Sequence, residues 1–173
     1  MAVSSNLRVL YQSYPENQFI YKTVEISHTA FNTIYLYQYS EDIESLFKLE
    51  NGSEVLFSPS QFEISEPNSE VSENSKMSLN FGPANLAELN EIIGEFEKNP
   101  ISFLEPIKVI YRIYHSRDIL VGPSTDPIKM YIETATLTPL DGATLTLTTT
   151  NNFRYGTGTT YSLADFPGMF TNA

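Results

Sequence analysis

The sequence predicts an α+β domain, mainly an antiparallel β-sheet or small barrel of about seven or eight strands, with one long helix near 86–98 and a short amino-terminal helix. Three observations carry that expectation. Short runs rich in β-branched and aromatic residues recur along the chain, a single long stretch places its apolar residues at helical spacing, and Pro, Gly, Asn and Asp punctuate the intervals. The 173 residues, 41% hydrophobic and 13% aromatic, suffice for one domain, so residues 1–173 are read as a single unit with 151–173 as an extended carboxyl-terminal tail.

Ser4-Ser5-Asn6 can cap the short helix, because Leu7, Leu10 and Tyr11 then share one face before Tyr14-Pro15 ends it. Phe19 to Ile26 and Ile34 to Tyr39 read as strands, the second alternating Tyr35, Tyr37 and Tyr39 with Ile34, Leu36 and Gln38. From Ser40 to Gly52 the pattern is weak and acidic. Glu54 to Phe57, Gln61 to Ile64 and Met77 to Phe81 follow as short strands, with Pro59 expected to force a break because it lacks a ladder donor. The stretch from Ser65 to Lys76 is polar and reads as a loop. Asn85 with Glu88 forms a capping box, after which Leu86, Leu89, Ile92, Ile93 and Phe96 line one helical face until Asn99-Pro100. Ile107 to His115 is a strand. Ile128 to Thr138 and Ala143 to Thr150 flank Pro139-Leu140-Asp141-Gly142, which is hairpin chemistry.

Charge is distributed unevenly. Of 21 acidic and 10 basic residues, residues 41–105 hold 14 and 3, so the whole net charge of −11 lies in the middle third. A solvated face is the plain explanation, and a docking surface for a basic partner is the other. A chain this acidic repels a phosphate backbone, so nucleic acid is not an expected partner. With no cysteine there is no disulfide, thiolate metal site or iron–sulfur cluster. No apolar run is long enough to span a bilayer, and the start Met1-Ala2-Val3-Ser4 lacks a secretory pattern, which points to synthesis in the cytoplasm.

Catalytic chemistry finds little to work with. His28 and His115 have no partner at metal-ligand spacing and read as surface or strand-end residues. Tyr155-Gly156-Thr157-Gly158 has the glycines of a phosphate loop without its strand-to-helix setting. Carboxylate pairs such as Glu63/Glu66 and Glu88/Glu91 are what any acidic surface offers, so neither catalytic residues nor a cofactor or metal are expected. Asn51-Gly52-Ser53 reads as a turn. The row Tyr35, Tyr37, Tyr39 suits a half-buried strand face or a protein interface better than a sugar platform.

The tail closes on Phe166, Pro167, Met169 and Phe170, four apolar residues in five positions, and these side chains need somewhere to dock. Its ending T-x-Y-x-x-x-x-F-P-G-M-F, the run Phe57-Ser58-Pro59-Ser60-Gln61-Phe62, the short amino-terminal helix, and a helix followed by a strand carrying Pro100 and Pro106 together resemble a family of phage tail-tip proteins. That family is similar to the amino-terminal domain of the lambdoid minor tail protein L and to hub proteins of gene transfer agents. The resemblance implies a structural component of the virion tail tip or baseplate, linking the distal tail ring to the central hub. Its implied partners are other phage tail proteins and further copies of itself in a symmetric assembly. The chain departs from minor tail protein L in lacking the cysteine-bearing carboxyl-terminal domain that would hold an iron–sulfur cluster. On this reading Phe166, Pro167, Met169, Phe170, Tyr35, Tyr37 and Tyr39 are interface residues, the other expectation for Phe166 and Phe170 being that they fold back onto the chain's own core. A carbohydrate- or receptor-binding β-domain using the tyrosines is the alternative.

Overall fold

The structure, a computed structural model, describes residues 5–6, 8–9, 18–38, 43–65, 76–82, 98, 105–138 and 142–149. Nine strands account for most of them: β1 (Ile20–His28), β2 (Phe31–Gln38), β3 (Ser45–Lys48), β4 (Glu54–Ser60), β5 (Phe62–Ser65), β6 (Lys76–Phe81), β7 (Lys108–His115), β8 (Ile128–Thr138) and β9 (Gly142–Thr148). They form one sheet in the order β3-β4-β2-β1-β7-β8-β9-β6-β5. Every neighbouring pair is antiparallel except β2 and β4, which run parallel with Leu36 opposite Ser58 and Gln38 opposite Ser60.

The α+β expectation is therefore corrected to a nearly all-β fold built on one mixed sheet. Reading a helix as part of the architecture gave one long periodic stretch the weight of a layer, whereas among the described residues strands alone build the fold. The helix expected near 86–98 falls outside the described residues apart from Lys98, as does most of the amino-terminal segment expected to be helical. The count of seven or eight strands is low because β3 was not expected. Its four residues sit in the acidic stretch and present only Leu46 and Phe47 as apolar residues, too few to show a period of two.

Chain continuity bends the sheet round on itself. β4 and β5 lie towards opposite ends of the strand order, yet only Gln61 separates them in sequence, so those ends must meet. Gln38 Nε2 donates to the Phe62 carbonyl at 2.8 Å across the seam. The inner face then collects Val24, Ile26, Leu36, Phe62, Met77, Leu79, Phe81, Val109, Tyr111, Met130, Leu145 and Leu147 into one buried core. Alternation assigns them: in β9, Ala143, Leu145 and Leu147 point in, while Thr144 is exposed.

Pro59 does not break the strand as expected. It sits inside β4 opposite Tyr37, and it is tolerated because β3 pairs only as far as Phe57, leaving one side of β4 open beyond that point. The β8–β9 hairpin forms as the turn residues predict, pairing Thr138 with Gly142. Gly142 has φ 102°, and a Cβ built there would lie 1.9 Å from the Phe81 carbonyl oxygen, so glycine is required by both conformation and space. No helix among the described residues is long and apolar enough to cross a membrane.

Candidate functional site

The β3–β4 hairpin lies over the outer side of β1, β2 and β7 and builds a second, smaller core there. Tyr37, Phe47, Leu49, Phe57 and Tyr114 are its buried members, with Tyr21, Tyr35, Val55 and Ile119 packed against them. Phe47 stands at the centre, with ring centroids 5.0 Å from Tyr114, 5.1 Å from Phe57 and 5.5 Å from Tyr37, spacings at which edge-to-face and tilted rings attract. Each buried phenol has an acceptor: Tyr114 donates to the Lys48 carbonyl at 3.0 Å, and Tyr37 donates to the Ile43 carbonyl. Burial pushes the Tyr114 phenol far above its ordinary range, and the Glu50 and Glu25 carboxylates push it the same way.

Arg112, projecting from β7 onto this outer face, is 2% exposed. Its Nε and Nη2 donate to the two oxygens of Glu50 at 2.8 and 3.0 Å, a two-point clasp, and Nη2 lies 2.7 Å from Glu25 Oε2 on β1. Burial works against the guanidinium charge, but the Glu50 and Glu25 carboxylates outweigh it and raise its pKa. The same clasp lowers the Glu50 pKa, chiefly through the hydrogen bonds from Arg112. Tyr35, close to Glu25, is pushed up by burial first and by that carboxylate second. Because Glu50 follows β3 and Arg112 lies on β7, the clasp ties the tip of the hairpin to the main sheet.

Beside the clasp is a groove of about 470 Å³. Lys48, Leu49, Glu50 and Gly52 form one wall and the loop from Val121 to Pro127 forms the other. The hairpin wall is shaped by the expected turn: Asn51 Oδ1 accepts from the Ser53 amide at 2.9 Å, and the Leu49 amide donates to the Ser53 carbonyl at 2.8 Å. The loop wall is held by buried polar residues. Asp118 accepts from Asn6 Nδ2 at 2.6 Å and from Ser124 Oγ at 3.4 Å, and Ser124 Oγ in turn accepts from the His115 amide at 2.8 Å. The Lys48 amide donates to the Ile119 carbonyl at 2.8 Å and joins the two walls at one end.

Ser124, His115 and Asp118 are the residue types of a hydrolytic triad, but their geometry is structural. The His115 Nδ1 accepts from the Arg117 amide at 3.2 Å and Nε2 faces Gln18 Oε1 at 2.9 Å, so neither imidazole nitrogen serves Ser124. His28 is similarly engaged, with Nδ1 accepting from the Ala30 amide at 3.0 Å and Nε2 facing the Glu105 carbonyl at 3.1 Å. Among the described residues, no group of three His, Asp or Glu side chains is placed to hold a metal ion.

Of the residues singled out from the sequence, Tyr37 is 2% exposed and inside the aromatic cluster, where its ring faces are covered by protein. It offers no platform to a sugar. Tyr35 is half-buried against Phe57, with ring centroids 5.2 Å apart. Tyr39, Phe166, Pro167, Met169 and Phe170 lie outside the described residues. Sequence reasoning missed the clasp: Arg112 and Glu50 are distant in sequence, and the sole hint was an arginine inside an otherwise apolar strand pattern, Val109 to Tyr114. It also missed the apolar pair formed where Leu46 faces Leu56 across β3 and β4, 41% and 51% exposed respectively.

Residues 6–153 match a family described as a domain of unknown function, DUF1833. No curated protein matches the chain.

Proposed function

The chain belongs to the DUF1833 family, and on that premise we propose that it is a structural subunit of a phage tail tip or baseplate, joining the distal ring to the central hub through protein–protein interfaces. The tail-tip assignment rests on the sequence resemblance. The observation that carries the interface reading is the apolar edge of the sheet. Leu46 and Leu56 stand opposite each other on the outer face of the hairpin, and Ile43, two residues before β3, is 59% exposed. β3 is the last strand of the order, and an exposed apolar edge strand is a template for pairing with another chain. Ser124, His115 and Asp118, by contrast, are spent on holding the loop, and Glu50 on holding the hairpin, which supports work by contact over catalysis.

The test is mass spectrometry of gradient-purified particles from a strain that expresses the chain. The reading expects the chain in fixed stoichiometry with the other tail proteins, and it expects the Leu46→Asp, Leu56→Asp double variant to be folded but missing from the particles. Absence of the unaltered chain from particles overturns the tail-tip assignment.

A further inference from the structure

The outer face of the β3–β4 hairpin carries a pattern of charge that a two-fold axis completes. The Lys48 amide turns away from β4 and donates to the Ile119 carbonyl at 2.8 Å. Lys48 and Glu54, and by alternation Leu46 and Leu56, therefore face each other as pairs without mutual backbone hydrogen bonds, the kind in which side chains stand closest. Leu46 and Leu56 so form one compact apolar patch, 41% and 51% exposed. Lys48 follows Leu46 by two positions and Glu44, which is exposed, precedes it by two, so alternation puts acid, leucine and base in a row on one face. Among the described residues, no ion pair holds Lys48 or Glu44.

We infer that this face pairs with the same face of a second copy of the chain. The axis lies in the face and runs across the strands through Leu46 and Leu56, so that half a turn lays β3 antiparallel over β3. Leucine then meets leucine at the centre, and Lys48 of each copy comes over Glu44 of the other, twice by symmetry. The same turn sets Glu54 over Ser58, which is uncharged, so no like charges meet. An axis along the strands would instead set Lys48 over Glu54, which already has its own Lys48 beside it, and would leave Glu44 without a cation. A basic partner, which the net charge of −11 otherwise invites, is opposed by Lys48 at the middle of the patch.

Two short strands offer less than the ~800 Å² a side of a standard stable interface, so the pairing is weak in isolation and depends on concentration. The inference rests on the reading of this face as a contact surface, and not on the tail-tip assignment.

Sedimentation velocity of the full chain from ~10 μM to ~1 mM should show a reversible equilibrium of monomer and dimer. Lys48→Glu alone and Glu44→Lys alone each bring like charges together twice, and each should weaken the dimer by at least about tenfold while the far-UV spectrum stays native. An equimolar mixture of the two variants rebuilds both opposite-charge pairs and should dimerise like the parent, although both chains remain acidic. A parent chain that is monomeric at the highest concentration overturns the inference, as does a mixture no more associated than its components. Rescue of Lys48→Glu by Glu54→Lys in place of Glu44→Lys turns the axis along the strands and overturns the register. A monomeric parent whose Leu46→Asp, Leu56→Asp variant is still lost from particles overturns this inference and keeps the contact reading, whereas a dimer abolished by a variant that still enters particles does the reverse.

Discussion

Arg112 grips both carboxylate oxygens of Glu50 from a position 62 residues away in sequence, and it does so while almost wholly buried. Glu50 is 40% exposed at its side chain, whereas Glu25, the second partner, is 13% exposed. The two ends of the clasp should therefore respond unequally. Glu50→Gln leaves Arg112 paired with Glu25 and should cost about 1 kcal/mol, while Arg112→Ala leaves Glu25 buried without a cation and opens a cavity, at about 3–5 kcal/mol. Arg112→Lys should recover little, because an ammonium lacks the planar fork. Urea unfolding of the variants checks the ranking, and equal losses would contradict it.

The lowered pKa of Glu50 fixes the sign of an acid effect. A carboxyl whose native pKa lies below its ordinary value of 4.5 adds stability that is present above that value and is lost as the pH falls from there through the lower native pKa. Unfolding free energy should drop over this interval, and more gently in Glu50→Gln. Parallel pH profiles of the two chains, recorded at low concentration because the pI is near 4.5, make the comparison.

Tyr114 gives the opposite limb. Its native phenol is held neutral while an unfolded tyrosine ionises near its ordinary value of 10.0, so above that pH the unfolded chain binds fewer protons and stability falls. Tyr114→Phe should cost roughly 1 kcal/mol near neutrality, through the lost bond to the Lys48 carbonyl, and should flatten the alkaline decline. An unaltered slope would show that another group governs this limb.

The strands were legible where two-residue alternation met a buried face. Val109, Tyr111 and Ile113 in β7, and Leu145 and Leu147 in β9, announce their inward side, and the structure packs them as that alternation requires. The hairpin turn before Gly142 was legible from composition. What was not legible depends on long-range pairing. β3 is short and displays Leu46 outward, so its pattern does not look like a strand until β4 is beside it. The parallel contact of β2 with β4 and the seam at Gln61 depend on how far the sheet curls, which no local window records. The tyrosine alternation reads as a half-buried strand face, and β2 holds Tyr35 and Tyr37 in a strand; the complete burial of Tyr37 is not legible locally, because the hairpin that covers it includes the unexpected β3.

Two glycines with positive φ separate conformational from steric cost. Gly52 has φ 85° and open space around a built Cβ, so Gly52→Ala should cost about 1–2 kcal/mol for the left-handed backbone alone. Gly142 adds a backbone oxygen 1.9 Å from the same atom. Gly142→Ala must push β6 and β9 apart at the Phe81–Ala143 pair, and it should cost several times as much or prevent folding. Thermal unfolding of both variants tests the difference, and similar midpoints would mean that the β6 end yields freely.

Leu46 and Leu56 test whether the hairpin's outer face is built for contact. Their side chains point away from Phe47 and Phe57, so neither contributes to the aromatic core beneath, and a polar replacement at either position should change stability by no more than about 0.5 kcal/mol. An exposed pair of leucines on the hairpin that ends the sheet, Leu46 on β3 and Leu56 on β4, nevertheless carries a standing risk of aggregation, which charged residues at sheet edges ordinarily suppress. Retaining apolar residues there makes physical sense if another protein covers them. Leu46→Lys with Leu56→Glu should therefore leave unfolding unchanged, improve solubility of the isolated chain, and abolish its association with tail proteins in a pull-down. A double variant that still associates would move the interface to another face of the molecule, and one that unfolds would mean the two leucines support the hairpin from outside.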